Sequence, residues 1–170
     1  LVLRAAAASV RNGGQIVGGT DVTLDAGSFD NSGGQVVTTA AGGGGLVLRS
    51  GDIVNAGGAL MAAGGARIDA NGKLDNTKGA IRAGDALAIA VAASLTNNEG
   101  GIEAGGAAAT LDIAAQAIDN GSGRLVNAGS GATRIVAATH LSNQGMVAGN
   151  GALLVQADSI VNGAAGTLAA

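Results

Sequence analysis

Side chains able to do chemistry are sparse in this chain. Its 170 residues carry one His, 12 acids, nine bases and no Cys. A lone imidazole, His140, excludes a two-His metal site, and the missing Cys excludes thiol nucleophiles, zinc ribbons and disulfides. His140 falls between apparent strands and reads as a surface residue. The acids are spread one or two at a time, from Asp21 to Asp158, with no pair placed for general acid and base work. Asp30, Asp75 and Asp119 occupy one equivalent position and would form an interrupted carboxylate line on a solvated face. Arg67, Arg82, Arg124 and Arg134 would line part of one face, the one feature that suggests an acidic glycan. The run Gly42–Gly45 lacks the Lys-Ser/Thr and helix start of a phosphate cradle and reads as a turn. Asn120-Gly121-Ser122 is a lone glycosylation sequon. A formal net charge of −3 leaves no basic surface for a phosphate backbone, and one aromatic, Phe29, cannot build a base-stacking platform.

The recurrent polar residue is Asn. An apolar residue, any residue and then Asn recur at Asn12, Asn31, Asn55, Asn76, Asn97, Asn120, Asn143 and Asn162, at spacings from 19 to 24 residues. Each copy continues into a Gly-containing turn, then an apolar position such as Ile16, Val36, Leu60 or Ile81. A second small-residue turn follows, then an alternating segment such as Val22-Thr23-Leu24 or Leu111-Asp112-Ile113. Alternation with period two means strands, and these are too short and too evenly repeated for hairpins. The elements that position the Asn residues are therefore the coils of a parallel β-helix. This is an all-β solenoid with three short strands per coil of about 21 residues, and seven to eight coils. Stacking in register puts Val10, Phe29, Ile53, Leu74, Leu95, Ile118, Leu141 and Ile160 in one interior column. The Asn residues then stack at a corner, where their amides can satisfy unpaired backbone groups and one another. Asn tolerates left-handed backbone there, and the following Gly is expected to supply positive φ. They read as a structural ladder, with no catalytic, cofactor or metal residue assigned.

Composition agrees. Gly numbers 32 and Ala 38, charged residues are only 12%, and Pro is absent. Gly has no three-residue period, which excludes collagen, and 47% apolar residues with positive mean hydropathy argue against disorder. No apolar run reaches the ~18–20 residues of a membrane span. Ala5–Ala8 and Ala104–Ala117 have helix propensity, but the latter is broken by Gly105-Gly106 and by alternation, so at most a bulging loop is expected at Ala5–Ala8. Long copies place insertions at Thr38–Gly45, Ala107–Ala109 and Ala128–Ala132, expected as loops on one face. The chain opens on Leu1 in mid-pattern, without initiator Met or signal peptide, and reads as one β-helix segment, 1–170, of a longer repeat shaft. Cutting a solenoid exposes strand edges, so end-to-end self-association is expected.

The strings Phe29-Asp30-Asn31-Ser32-Gly33-Gly34-Gln35-Val36 and Leu74-Asp75-Asn76-Thr77-Lys78-Gly79-Ala80-Ile81-Arg82-Ala83-Gly84 resemble the haemagglutinin repeats of filamentous haemagglutinin and related two-partner secretion exoproteins. The resemblance spans essentially the whole chain. It implies a right-handed β-helical rod, secreted unfolded through an outer-membrane transporter and folding at the bacterial cell surface. It implies a non-enzymatic shaft of a large adhesin, supporting attachment to host cells, with weak contacts to host-surface glycans. The alternatives are the stalk of a contact-dependent growth-inhibition toxin and a purely structural spacer. No cofactor and no nucleic-acid partner are expected. A polysaccharide-cleaving β-helix enzyme would need clustered acids or bases and aromatic sugar platforms, which this sequence lacks.

Overall fold

The computed structural model describes residues 1–40 and 43–170. Every regular element in them is a β-strand, and every strand pair is parallel. Parallel neighbours need a crossover, and here the crossover is the coil itself. A short sheet of eight strands, from Gln15–Gly18 to Thr167–Ala169, takes one strand from each coil. A long sheet of 11 strands takes the remaining two arms of every coil. In Val2–Arg11, Val22–Asp30, Leu87–Thr96, Leu111–Asn120 and Thr133–Asn143 the two arms run on as one strand. In other coils the arms are separate, as in Leu46–Ser50 and Ile53–Val54. Three strand segments per coil, about eight coils and about 21 residues per coil make a parallel β-solenoid.

Where the arms join, the register shifts, between Ala5 and Ser9, Val91 and Ser94, and Ala115 and Ala117. Extra residues on one strand of a pair bend it, and this bend turns one sheet into two walls of the coil. Ala5–Ala8 is thus a bulged part of a strand, and Ala104–Ala117 runs from strand through a turn into strand. Helix propensity yields in both to the cross-coil ladder. The three predicted insertions all occupy the turn that leads from the short sheet to the long one, at residues 39–45, 105–110 and 128–132. Ala41 and Gly42, part of the first insertion and of the Gly run, lie outside the described residues.

Side chains alternate in and out along each segment, and the inward ones stack coil on coil. The column from Val10 through Phe29, Ile53, Leu74, Leu95, Ile118 and Leu141 to Ile160 is continuous in register. A second runs from Ile16 through Val36, Leu60, Ile81, Ile102 and Leu125 to Val147 and Leu168. A third follows Leu24, Leu48, Ile68, Ile89, Ile113 and Ile135. Their members in the middle coils are at most 2% exposed. Like side chains one coil apart, ~4.8 Å, make a narrow core that aliphatic residues fill without aromatics. Among the described residues no helix is long and apolar enough to cross a membrane.

Candidate functional site

All eight repeat Asn residues stand at the corner where the long sheet passes into the short one. Asn31, Asn55, Asn76, Asn97, Asn120 and Asn143 are fully buried, Asn12 is 8% exposed, and Asn162, on the last coil, is exposed. Each Nδ2 donates to the Oδ1 of the Asn one coil further on, at 2.7–2.8 Å for all seven rungs. In the five inner coils the same amide also reaches two carbonyls. One is the Gly three residues on, as in Asn97 to Gly100 at 3.2 Å; the other lies on the next coil, as in Asn97 to Arg124 at 3.2 Å. Two N–H groups thus serve three acceptors, and none of the buried side-chain polar atoms of this corner lacks a partner.

The turn after each Asn departs from the sequence reading in one respect. None of these Asn residues adopts positive φ, and the position that does is two residues after Asn. Gly33 and Gly57 fill it in two coils, at φ 66° and 61°. Lys78, Glu99 and Ser122 fill it in the next three, at 56°, 55° and 51°. The Gly that recurs is the following one, and what demands it is space. A Cβ on Gly34, Gly58, Gly79, Gly100 or Gly123 would run into the carbonyl oxygen of the Asn one coil back, respectively Asn12, Asn31, Asn55, Asn76 or Asn97.

The corner at the opposite end of the short sheet holds polar side chains that sequence reading missed. Thr38, 3% exposed, donates its Oγ1 to Gly44 O at 2.7 Å and accepts from Ala63 N at 3.0 Å. Asn127, 1% exposed, donates to Ala109 O at 2.9 Å and Gly131 O at 3.0 Å, and its Oδ1 accepts from Gly129 N at 3.0 Å. One amide thereby clamps two enlarged turns on adjacent coils. Equivalent positions in other coils are Gly18, Ala62, Ala83, Ala104 and Gly149. The only available sequence signal was a polar residue at an inward position next to a long copy.

The charged residues do not converge. Among the described residues no group of three or more metal-capable side chains comes together. His140 is exposed on the bend, with its Nδ1 3.4 Å from Thr139 Oγ1. The four Arg residues expected on one face divide between two. Arg67 and Arg134 stand on the long sheet, Arg82 and Arg124 on the short one. Each is matched to a carboxylate: Arg67 to Asp69 at 2.8 Å, Arg134 to Asp112 at 2.9 Å, and Arg82 and Arg124 to Glu103 at 3.0 and 3.6 Å. Lys73 is the one base outside such a pair among the described residues. The Asp30, Asp75 and Asp119 column is interrupted by Val54 and Thr96, as their register shows. Asp30 Oδ1 accepts from the Ser32 hydroxyl at 2.6 Å and the Ser32 N–H at 2.9 Å. These bonds, hydroxyl first, hold its carboxyl below the ordinary value against a small opposing effect of burial, with Arg11 helping. The sequon residue Asn120 is a buried ladder rung, so its amide is closed to a glycan donor. The concave strip at the bend is lined mostly by small apolar residues such as Ala90, Ala92, Ala114 and Ala138, with Arg49, Asp69, Asn71 and Gln116 also in its lining, and Arg49 lies 3.7 Å from Asp69.

No curated protein matches the chain, and no solved structure matches it. The model of the haemagglutinin repeat matches residues 1–43, 38–78, 106–145 and 148–170. Repeat matches over most of the chain, on coils that stack through one Asn corner, show that it belongs to the haemagglutinin repeat family.

Proposed function

We propose that the chain is a section of the shaft of a large extracellular bacterial adhesin of the filamentous haemagglutinin type, exported by two-partner secretion through an outer-membrane transporter. One observation carries this: the unbroken axial continuity of about eight coils, cross-linked by backbone ladders on every wall and by seven amide rungs inside. At ~4.8 Å per coil it spans roughly 35 Å, so its natural work is to hold other regions at a distance. Each coil contacts only its neighbours, and the chain has neither Cys nor Pro, which suits threading through a pore and folding coil by coil outside the cell.

A direct adhesive role is the finer reading, and the ion pairing bears on it. With eight of the nine bases matched to carboxylates, contact with acidic host glycans is weak and depends on many repeats acting together. The same observation favours a plain spacer as the second reading. The segment, monomeric and then displayed in many copies on a bead, is applied to a glycan array and to host cells. Binding that appears only in the multivalent form supports the adhesive shaft. No binding in either form leaves the spacer.

A further inference from the structure

On the outer face of the short sheet two charged columns share one centre of inversion. Two outward columns and the adjoining turn column run along the axis. On one coil, Lys78, Ala80 and Arg82 stand side by side; on the next, Glu99, Gly101 and Glu103 stand in the same three places. Two cations flank a small residue on the first coil, and two carboxylates flank a small residue on the second. Exchanging the two coils inverts every charge. Beyond this band the column of Arg82 and Glu103 turns apolar in both directions. Met61, Val37 and Val17 lie one way, and Val126, Ala148 and Ala169 the other. On the long sheet the outward column Arg4, Asp25, Arg49 and Asp69 also inverts about the midpoint of Asp25 and Arg49, but the outward column beside it, Val2, Thr23, Val47 and Arg67, does not share that centre.

We propose that this face docks a second copy of the chain, antiparallel, about a two-fold axis that runs along the strands between the coil of Ala80 and the coil of Gly101. Such an axis lays each column on its own reverse. Arg82 of one copy then faces Glu103 of the other, Lys78 faces Glu99, and Ala80 meets Gly101, where two small residues let the backbones approach. Met61 meets Val126, and Val37 meets Ala148. A two-fold contact must be self-complementary, and the two charged columns satisfy that condition about one centre; in the column between them Arg124 falls opposite Ala59 and stays beside Glu103 of its own copy at 3.6 Å. The side chains are free to do it: Arg82 is 54% exposed and Glu103 29%, and their present partners lie within the same copy. A parallel arrangement gains nothing from the pattern, because it sets like coils side by side. The face measures roughly 35 Å by 13 Å, or about 450 Å² per copy, less than the ~800 Å² of a standard stable interface, so one segment pairs weakly and a longer array more tightly. Antiparallel pairing joins shafts that point toward each other, as from two facing surfaces. It rests on the fold alone, independently of the adhesin reading.

Sedimentation of the intact 170-residue chain up to ~1 mM tests this. The expected result is a dimer that weakens at least severalfold between ~20 and ~500 mM salt, since the facing charges are exposed. Arg82→Glu or Glu103→Arg alone weakens it at least about tenfold. An equimolar mixture of the two variants restores it, because each reversed side chain meets its opposite on the other chain, although neither chain regains an internal pair. Circular dichroism confirms that both variants are folded. Because the chain has no Cys, Ala80→Cys mixed with Gly101→Cys reports orientation, and the expected disulfide joins one variant to the other. Absence of a dimer at ~1 mM overturns the proposal. So does association indifferent to the charge reversals, as end-to-end stacking would be, or a disulfide that forms only between identical variants.

Discussion

The two corners of the short sheet solve one problem in different ways. At both, the chain leaves a sheet, turns and must satisfy the backbone groups of the turn. The Asn corner solves it by repetition. In the five inner coils four steps lead from Asn to the next strand, and every coil adds one identical rung. The opposite corner has turns of three, five, six and seven residues and meets each enlargement separately, with Thr38 for one loop and Asn127 for two. A corner that lengthens cannot support a ladder, because its amides no longer align along the axis. A corner that holds a ladder varies little, its turns after the Asn running from two to four residues with the longest on the last coil. The large enlargements in this solenoid therefore sit at the other edge.

The ladder corner should be the less forgiving. Asn97→Leu removes the side-chain donor shared by Asn120 Oδ1, Gly100 O and Arg124 O, and one of the three acceptors of Asn76 Nδ2. Each orphaned group costs about 1–3 kcal/mol, so a loss near 4 kcal/mol is expected in denaturant unfolding. Thr96→Ser, one residue away on the outer face, should stay within about 0.5 kcal/mol. A loss at Asn97 no larger than that at Thr96 would remove the structural role assigned to the ladder.

Glycines sharpen the contrast. Gly100→Ala puts a Cβ against Asn76 O in a stack that cannot open without breaking rungs, an overpacking cost of about 3 kcal/mol. At the opposite corner a Cβ on Gly105 meets Ala83 O at an ordinary 3.6 Å. Gly105→Ala should therefore change the unfolding midpoint by about 0.5 kcal/mol or less. Close stacking also occurs at the opposite corner, where a Cβ on Gly84 or Gly106 would run into a carbonyl one coil back, so equal effects at Gly100 and Gly105 would show that carbonyl crowding does not set the cost.

What the sequence made legible follows the same division. A residue repeated eight times announces its own column, and the apolar partners of Asn12 to Asn162 could be placed in the core from spacing alone. Thr38 and Asn127 each occur once, so no periodicity marks them. Their role depends on which loop carbonyls the fold brings within 3 Å. The recurrent Gly was visible, but its reason was not. Positive φ belongs to its neighbour, and crowding by the coil behind appears only when coils are stacked. The Arg residues were misjudged as one face because two sheets share each coil, and a linear spacing does not say on which wall a side chain emerges.

Asn127→Leu tests the single clamp. It frees Ala109 O, Gly131 O and Gly129 N at an edge where water can enter, so the expected global loss is smaller, about 1–2 kcal/mol. The local signature is the decisive one. Amide exchange should rise in residues 105–110 and 128–132 together while the Asn97 to Asn143 rungs keep their protection. Exchange rising in one loop alone would mean that the turns are held separately.

The smallest expected effect lies on the outer side of the ladder corner, at Asp30. The Ser32 hydroxyl and N–H stabilise its ionised carboxylate, so the folded chain holds Asp30 below the ordinary carboxylate value. A group depressed in the folded state contributes stability above its unfolded pKa, about 3.9 for Asp, and that stability is lost as pH falls through the folded value. Ser32→Ala removes the larger of the two bonds, so the Asp30 titration, followed by carboxyl carbon NMR, should move up toward the ordinary value. The loss of stability in Ser32→Ala should be present at neutral pH and fade as pH falls through the range where Asp30 protonates, and it should be small because the side chain stands partly in solvent at the surface. Asp30 lies beside the turn that follows Asn31 but donates nothing to the ladder. Amide protection of Asn31 and Asn55 should therefore stay unchanged across the same titration. Loss of that protection as Asp30 protonates would tie the outer turn to the inner column and make the corner one unit from core to surface.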